Sequence, residues 1–175
     1  VLIGGCSRSG TTLLQAILSA HPSIFALPKE LSVFNHWKEG KNGKWEPVRM
    51  DRLYREVLRH RIPGSTRRWS EKTPRNVLYL DKLLGYFKGQ VRFINLIRDG
   101  RDVVLSRHPD EQDTYWTPPE RWIRDVREGI KYMDYPQVLT IYYENLVLDF
   151  TATIKQIVDF LGEELPDEMR HWHRH

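Results

Sequence analysis

Residues 1–14 combine a short apolar strand, a turn rich in glycine and serine, and the start of an amphipathic helix. Gly5 and Gly10 frame the turn, and the backbone N–H groups of a first helical turn have no partners inside the helix. Such a unit attracts anions, because these N–H groups and the helix dipole both favour negative charge. Taken alone, it is equally compatible with a plain turn between a strand and a helix. As an anion site, it predicts an α/β fold with a binding loop after the first strand.

The cation of this loop separates it from the usual nucleotide-binding loop. Thr11 occupies the position at which ATPases and kinases carry a phosphate-binding lysine, and the cation of the loop is Arg8, inside the turn. A guanidinium can donate two parallel hydrogen bonds to a phosphate or a sulfate. The loop therefore predicts a phosphorylated ligand other than ATP.

A second arginine follows a second apolar strand. Residues 91–97 are rich in β-branched and aromatic side chains, as in a strand covered on both faces of a parallel sheet, and Arg98 comes directly after them. Ser106 lies eight residues further on, about two helical turns along, so its hydroxyl is predicted to face the ligand of Arg98. The alternative is a solvated helix start, in which Asp99 and Asp102 complement the helix dipole.

These two segments resemble the signatures of the sulfotransferases, enzymes that take a sulfuryl group from 3′-phosphoadenosine 5′-phosphosulfate (PAPS) and release adenosine 3′,5′-bisphosphate (PAP). The resemblance implies that Arg98 and Ser106 hold the 3′-phosphate of PAPS. A third stretch, residues 141–149, resembles a further family segment in which Phe150 here replaces the usual proline. The family loop that holds the 5′-phosphosulfate is matched by Arg8, Ser9, Gly10, Thr11 and Thr12.

The tyrosylprotein sulfotransferases and the bacterial enzymes similar to them share these motifs in the same order, over most of the chain. The resemblance implies the sulfotransferase fold, which is a three-layer, P-loop NTPase-like parallel sheet flanked by helices, and a reaction that needs no metal. The acceptor is then a small molecule, a carbohydrate or a peptide that offers a hydroxyl or an amine. The shared segments are Ser9–Leu13, Ala20–Pro22, Lys72–Pro74, Arg98–Arg101 and Tyr143–Val147.

The same resemblance implies which side chains act in transfer. Glu30, after the second predicted strand, is the preferred base for the acceptor hydroxyl, with one residue inserted relative to the family pattern. Glu71 is the alternative carboxylate. Lys72 is expected to act with Arg8 on the leaving 5′-phosphate oxygen. Tyr143 is expected to contact the phosphate or the adenine, and a place in the core is its alternative role.

Histidine and tryptophan side chains are further candidates on the acceptor side of the site. His36 and His108 are alternatives to a carboxylate base, although a surface or packing role is favoured for both. Five tryptophans could stack on an acceptor, and we expect at least half of them to be buried in the core instead. They are Trp37, Trp45, Trp69, Trp116 and Trp122.

The composition is that of a small globular enzyme. The 175 residues are 40% hydrophobic and predict one domain over residues 1–175, with flanking sequence that could have been trimmed. A net charge of +4 suits an anionic ligand and falls short of the profile of a nucleic-acid-binding protein. The most basic stretches, residues 52–61 and 67–68, are expected to be solvated surface rather than a site for an acidic polymer.

The only cysteine, Cys6, excludes intramolecular disulfides and cysteine metal clusters, and it favours a reducing, cytoplasmic location. Cys6 itself is expected to be a small buried residue. Apolar runs fall short of the about 20 residues that a membrane span needs, and an upstream anchor could have been removed before Val1. For the alternating histidines at 171, 173 and 175, a frayed helix end is favoured over a metal site.

The pattern along the chain predicts alternating strands and helices, and hence a parallel sheet with helices on both faces. Ligands bind beyond the carboxyl ends of such strands, where Arg8, Glu30, Lys72 and Arg98 are expected to converge. The strands are predicted at 1–4, 24–26, 91–97 and 138–142, with one more from Trp69 into a turn at Pro74. The helices are predicted at 10–20, 51–60, 76–86 with Asn76 as its cap, from the 91–97 strand to Ser106, 119–133 and 151–161.

Two other functions stay open at this point. A small-molecule or nucleotide kinase would share the sheet and the loop, with Asp99 as a metal ligand, but it would need the missing loop lysine. A module that binds sulfated or phosphorylated ligands without catalysis would keep the same anion site.

Overall fold

Five strands, which form the main sheet, alternate with helices along the chain, as the sequence predicts. The computed structural model describes residues 1–108, 111 and 113–172. The strands are β1 (Leu2–Gly5), β2 (Ile24–Ala26), β3 (Trp37–Glu39), β4 (Trp45–Pro47), β5 (Arg68–Lys72), β6 (Phe93–Ile97) and β7 (Val138–Tyr142). The helices are α1 (Thr11–Ser19), α2 (Met50–Arg59), α3 (Leu80–Phe87), α4 (Gly100–Val104), α5 (Pro119–Ile130), α6 (Tyr143–Leu148), α7 (Phe150–Leu161) and α8 (Asp167–Arg170). Two 3-10 helices cover Val33–Asn35 and Pro74–Tyr79.

The main sheet has five strands in the order β2-β5-β1-β6-β7, and all its pairings are parallel. β1 and β6 lie near its centre and are buried along their whole lengths, because helices cover both faces. The parallel register brings the carboxyl ends of the strands to one edge, where Gly5 pairs with Leu96 and Ile97 with Tyr142. The loops that follow the five strands therefore begin along the same edge.

Two apolar clusters, one on each face of the sheet, give the fold its three layers. The first joins Ile94 to helices α1 and α7 through Leu14 and Ile157. The second joins Phe93 to helix α3 through Leu83. Neighbouring residues of β6 enter opposite clusters because successive side chains of a strand point to opposite faces. The predicted three-layer α/β fold is confirmed.

A β3–β4 hairpin stands outside the main sheet, and the sequence pattern does not predict it. Its two strands have three residues each, and β4 ends in a proline, so neither shows the alternation of apolar and polar residues that marks a longer strand. The turn between them is closed by the Gly40 N–H, which donates to the Lys44 carbonyl at 2.8 Å. The hairpin packs beside α3 at one side of the carboxyl edge.

The helix predicted from Asn76 begins later in the structure. Residues Pro74–Tyr79 form a 3-10 helix, and α3 begins at Leu80. The Asn76 side chain does not cap a helix, because its Nδ2 donates to the buried Glu71 carboxylate at 2.8 Å. The prediction of Asn76 as a cap is wrong, since a long-range partner takes the side chain.

The helix predicted to reach Ser106 ends at Val104 instead. The Ser106 carbonyl accepts a hydrogen bond from the Trp116 N–H at 3.2 Å, and Arg107 forms a bridge with Tyr115. The backbone at Ser106 therefore belongs to a turn that leads back toward α5, and this turn ends the helix. The predicted length of this helix is wrong for that reason.

The described residues contain neither a membrane-spanning helix nor a cluster of metal ligands. None of their helices combines the length and the apolar character that a membrane span requires. Within the same residues, no three His, Cys, Asp or Glu side chains gather in a way that could hold a metal ion. The histidines at 173 and 175, which the sequence offered as a metal site or a frayed end, lie outside the described residues.

Candidate active site

The loop after β1 has the conformation of an anion-binding turn. Arg8 has a φ of 70° and Gly10 a φ of 94°, so two residues of the turn lie in the left-handed region. The Ser9 N–H donates to the Cys6 carbonyl at 3.2 Å and closes the turn. Within the described chain no side chain caps α1, which leaves the N–H groups of its first turn directed at the loop. The predicted strand, turn and helix are all present.

Close packing explains both glycines of the loop. A Cβ atom on Gly10 would overlap the ring of Tyr143, and one on Gly5 would overlap the carbonyl oxygen of Leu96. Tyr143 is the first residue of α6, directly after β7, so its ring reaches the loop from the far side of β6. The segment that contains Tyr143 therefore forms one wall of the loop.

Arg98 joins the second motif to the first. Its Nη1 donates to the Arg8 carbonyl at 3.2 Å, and its guanidinium carbon lies 4.5 Å from the centre of the Tyr143 ring, in reach of a cation–π interaction. Its Nη2 lies 3.3 Å from Asp102 Oδ2, and its carbonyl accepts from Trp122 Nε1 at 3.0 Å. The two arginine-bearing turns, 90 residues apart in the chain, therefore meet at one edge of the sheet.

Two buried polar atoms at this junction have no hydrogen-bond partner among the described residues. They are the Ser9 hydroxyl and the Nε of Arg98. A buried hydrogen-bonding group without a partner costs free energy, so native structures rarely contain one unless a ligand or water completes it. Both atoms belong to the motifs that the sequence assigned to anion binding.

Ser106 lies near Arg98 through a shared neighbour. Its Oγ donates to the Asp102 carbonyl at 2.8 Å, while the Asp102 carboxylate faces Arg98. Ser106 lies two residues beyond the end of α4, and its N–H donates to the Val103 carbonyl at 3.2 Å. That its hydroxyl faces the ligand of Arg98 stays a prediction.

Glu30 and Lys72 form an ion pair at the same edge. Glu30 follows β2, Lys72 ends β5, and these strands are neighbours, so their side chains meet across the edge. The Lys72 side chain is 11% exposed and the Glu30 side chain 45% exposed, so the carboxylate is the partner that faces solvent. The convergence of Glu30 and Lys72 follows directly from the order of the strands.

A cavity of about 310 Å³ lies between the loop after β1 and Glu30. Several predicted site residues of the described chain are not among its lining residues, and these include Lys72, Arg98, Ser106 and Tyr143. Arg8, Thr11, Thr12 and Glu30 line it, as the sequence predicted for residues of one site. Its wall also contains side chains that the sequence did not single out as site residues, which are Asn35, Arg75 and Arg121. Arg121 Nη2 donates to Ser7 Oγ at 2.7 Å, and Arg75 is exposed without an ion-pair partner in the described part of the chain. Only the tertiary structure brings these cations to the cavity.

Glu71, the alternative base, lies inside the protein. It is fully buried, and its carboxylate accepts from the Leu31 N–H at 3.2 Å, from Asn76 Nδ2 and from the Thr73 hydroxyl. Burial raises the pKa of Glu71, although these three hydrogen bonds act to lower it. Glu71 holds the loop after β2 against β5, and Glu30 is the carboxylate at the cavity wall.

The remaining candidate residues, His36, His108 and Cys6, lie in different environments. His108 packs against the ring of Trp116, with 4.3 Å between ring centres, and Trp116 lines the cavity, whereas His36 is exposed beside it. Cys6 is buried, and burial together with the nearby Asp125 carboxylate raises the pKa of its thiol to about 12. The expectation of a buried, unreactive cysteine agrees with this environment.

The tryptophans divide between the core and the surface. Trp37 and Trp69 pack against the second apolar cluster, and Trp122 lies over Gly100 while it donates to Arg98. Trp116 lines the cavity, and Trp45 is 43% exposed on the hairpin. Trp37 also lines a second cavity, so three of the five are available to an acceptor.

The basic stretches are largely paired within the protein. On α2, Arg55 pairs with Asp51, and Arg59 lies 3.7 Å from Glu56. Arg67 and Arg68 both form ion pairs with the buried Glu163, and Arg68 Nε lies 2.9 Å from Glu163 Oε1. These contacts support the expectation of structural and solvated roles for most of these cations.

Known proteins are similar to this chain in sequence and in fold. A profile of the sulfotransferase family matches residues 1–167. The chain is 27% identical to protein-tyrosine sulfotransferase A of Caenorhabditis elegans, over 98% of this chain and 52% of that protein. It is 26% identical to protein-tyrosine sulfotransferase of Drosophila melanogaster, over 98% of this chain and 39% of that protein. The chain thus spans about half the length, or less, of these curated relatives.

Solved structures give the same fold at lower identity. The sulfotransferase domain from the curacin biosynthetic pathway superposes with a TM-score of 0.67 at 18% identity, over 96% of this chain and 75% of that one. Mouse sulfotransferase SULT7A1, complexed with PAP, superposes with a TM-score of 0.62 at 19% identity, over 99% of this chain and 62% of that one. With its two arginine turns, its loop and its fold, the chain belongs to the sulfotransferase family.

Proposed function

We propose that this protein transfers a sulfuryl group from PAPS to a hydroxyl or amine acceptor by in-line displacement. The observation that carries the proposal is the 3.2 Å hydrogen bond from Arg98 to the Arg8 carbonyl. It brings the two anion-binding motifs to one edge of the sheet, where a single ligand with phosphates at both ends can touch both. The solved sulfotransferase with PAP bound supports PAPS as the donor and PAP as the product.

The residues present fit such a donor. The Ser9 hydroxyl and Arg98 Nε are buried without partners in the described chain, and both would gain one from a phosphate oxygen. The 5′-phosphosulfate would be held by Arg8, Ser9, Gly10, Thr11 and Thr12, at the N-terminus of α1. The 3′-phosphate would be held by Arg98 and Ser106, and Tyr143 lies between the two ends.

When bound, PAPS supplies the sulfuryl group and a leaving 5′-phosphate oxygen. Glu30 would accept the proton of the acceptor hydroxyl, because its carboxylate faces the cavity and is the exposed member of the pair with Lys72. Lys72 would stabilise negative charge together with Arg8.

A kinase is a weaker alternative for this site. Asp99, its expected metal ligand, caps α4 by accepting from the Arg101 N–H at 2.8 Å and also binds the Arg101 side chain. These side-chain and backbone hydrogen bonds from Arg101 lower the pKa of Asp99 to about 2. The carboxylate is therefore already engaged in holding the helix start.

The acceptor is proposed to be a small molecule, a carbohydrate or a peptide, and the protein-tyrosine sulfotransferases among the relatives support a peptide as one class. The cytoplasmic location inferred from the single cysteine stays a prediction.

Calorimetry with PAP and, separately, with ATP and Mg²⁺ tests the donor site. We expect PAP to bind at least about tenfold more tightly than ATP with Mg²⁺, a difference of about 1.4 kcal/mol. Tighter binding of ATP with Mg²⁺ would favour the kinase. Labelled PAPS and a panel of hydroxyl acceptors then test transfer, and PAP binding without transfer to any of them would favour a non-catalytic module.

A further inference from the structure

Two cavities neighbour the cavity of about 310 Å³ that contains Glu30, which we call the catalytic cavity, and both are lined by residues of the β3–β4 hairpin and α3. The first, of about 460 Å³, shares the lining residue Asn35 with the catalytic cavity. The second, of about 390 Å³, shares Lys82 with the first. Each cavity therefore has a neighbour in the series, and the two beyond Asn35 are called the side groove. The side groove is too large for the acceptor hydroxyl alone.

The far end of the side groove has an aromatic wall with hydrogen-bonding groups around it. Trp45 is 43% exposed there, with Lys82 Nζ 3.8 Å from the centre of its ring, and Tyr86 lies beside it. Glu46 and Asp81 also line this pocket. Exposed aromatic rings next to carboxylates are suited to sugars, because the rings stack on the apolar face of a sugar and the carboxylates accept from its hydroxyls.

Gly85 forms an open part of the same pocket. It lies inside α3, has no positive φ, and a Cβ atom at this position would meet nothing within 4 Å. Glycine inside a helix costs about 1 kcal/mol relative to alanine, so neither the backbone nor the packing calls for it here. The missing side chain leaves room in the pocket.

The middle of the side groove is cationic. Arg49 and Lys82 line it without a carboxylate among the lining residues, and the Arg49 side chain has no hydrogen-bond or ion-pair partner within the described residues. At its inner end, Asn35 Oδ1 is buried without a donor from the described chain. An unpartnered oxygen near these two cations fits a ligand that carries both hydroxyl and anionic groups.

We propose that the side groove binds an extended acidic oligosaccharide as the acceptor, with its reacting hydroxyl at Glu30 and its more distant sugars against Trp45. This inference rests on the proposed sulfuryl transfer. The cationic middle would bind carboxylates or sulfates of the chain, and the far pocket would bind a sugar ring. The far pocket also contains Lys44 and Lys88, so its charge suits an acidic chain of either kind. Its aromatic rings favour the sugar chain over an acidic peptide.

Direct binding tests the groove without requiring turnover. Oligosaccharides of alternating glucuronate and N-acetylhexosamine, from disaccharide to octasaccharide, are titrated by calorimetry into the protein with PAP and without it. We expect affinity to rise at least about tenfold with length, and neutral oligosaccharides of equal length to bind at least about tenfold more weakly. The same ladder with labelled PAPS should show KM falling with length while kcat changes little.

Gly85→Leu is the decisive variant, because it fills the far pocket at a position where a side chain meets no other atom. It should abolish the gain in affinity with length and leave PAP binding unchanged. Gly64→Leu is the matched control, since a Cβ atom there also meets nothing within 4 Å and Gly64 lines none of the cavities described here. Trp45→Ala and Arg49→Ala provide the same test should Gly85→Leu fail to fold.

The outcomes separate the two proposals. Length-dependent binding that survives in Gly85→Leu, or a preference for acidic tyrosine peptides over the oligosaccharides, would overturn the side groove as an oligosaccharide site. Absence of PAP binding in the unmodified protein would instead overturn the donor site, and titration without PAP would still report on the groove.

Discussion

The edge of the sheet that carries Arg8, Gly10 and Arg98, called the donor edge, and the side groove are both proposed to bind anions, yet they are formed by different kinds of structure. At the donor edge, Gly10, Arg98 and Tyr143 lie against one another directly after three parallel strands. The side groove is lined by a two-stranded hairpin and a helix outside the sheet, with Trp45 exposed and Arg49 unpaired within the described residues. The donor edge relies on backbone geometry, whereas the groove relies on exposed side chains.

This difference has a physical consequence. Changes at the donor edge disturb a left-handed turn and close packing against β6, so they affect the fold and the donor together. Substitutions in the side groove change exposed side chains, so we expect them to disturb the fold less. We therefore expect acceptor choice to be separable from donor binding, and the following predictions test that separation.

The largest effect is expected for Glu30→Gln. Without its base, transfer should fall by about 10²–10⁴-fold, because general base catalysis typically contributes that much. PAP affinity should stay within about threefold, since Glu30 faces the cavity from β2 and not from the donor loop. Single-turnover transfer from labelled PAPS and calorimetry with PAP measure the two quantities.

Glu71→Gln is the matched control for Glu30→Gln. It makes the same chemical change in a buried carboxylate, and it should retain transfer within about threefold. A loss of transfer in Glu71→Gln with normal activity in Glu30→Gln would reverse the assignment of the base.

Arg8→Ala and Arg98→Ala should each weaken PAP binding by more than about tenfold. Each removes a charge-assisted hydrogen-bonding group worth about 1.5–3 kcal/mol. Arg101→Ala is the control, because the Arg101 side chain is exposed and pairs with Asp99. Oligosaccharide affinity measured without PAP should not change in these variants. Unchanged PAP affinity in both Arg8→Ala and Arg98→Ala would break the donor side of the comparison.

Gly10→Ala tests the role of backbone geometry at the donor edge. The new Cβ would overlap Tyr143 and would sit on a residue with a φ of 94°. Strain of this kind costs about 1–3 kcal/mol, which lowers Tm by about 2–4 °C for each kcal/mol. Gly64→Ala, at an open position, should leave Tm nearly unchanged in the same calorimetric scan. Equal Tm values for the two variants would argue against a constrained loop.

The smallest effect is expected in how the thermal stability of the protein depends on pH through Glu71. Burial holds its pKa above the ordinary value of 4.5, so the unfolded chain loses this proton first. The stability that protonated Glu71 contributes is present below pH 4.5 and is lost as pH rises through the raised pKa. Glutamine cannot ionise, so the Tm of Glu71→Gln relative to the unmodified protein should rise from pH 4 to pH 8. A Tm difference that does not vary with pH would contradict the raised pKa.

Much of the donor edge could be predicted from the sequence. Arg8 lies in the turn after β1 and Arg98 directly follows β6, and parallel strands bring their carboxyl ends to one edge, so local spacing is enough to place both. The helix predicted to reach Ser106 is too long, because the turn toward Trp116 ends α4 at Val104. A competing long-range hydrogen bond of this kind leaves no periodic signal in the sequence.

The hairpin and the extra cavity cations could not be predicted. Strands of three residues are too short to show alternation, and Arg75 and Arg121 look like ordinary surface residues until the fold brings them to the cavity. Asn76 shows the same limit, since its pattern as a helix cap was overruled by the buried Glu71. In each of these cases, contacts with residues distant in sequence determine the local structure or the position of the side chain.

The sequence by itself determined the loop with Arg8, the strand that leads to Arg98 and the parallel sheet that joins them, because each depends on residues close together in the chain. Only the tertiary structure decided that Glu30 faces the cavity while Glu71 is buried, and that a groove runs from Asn35 to Trp45. The reason is that burial and partner choice depend on which elements pack together. Strand order and helix packing fix these contacts, and they bring together residues that no local spacing connects.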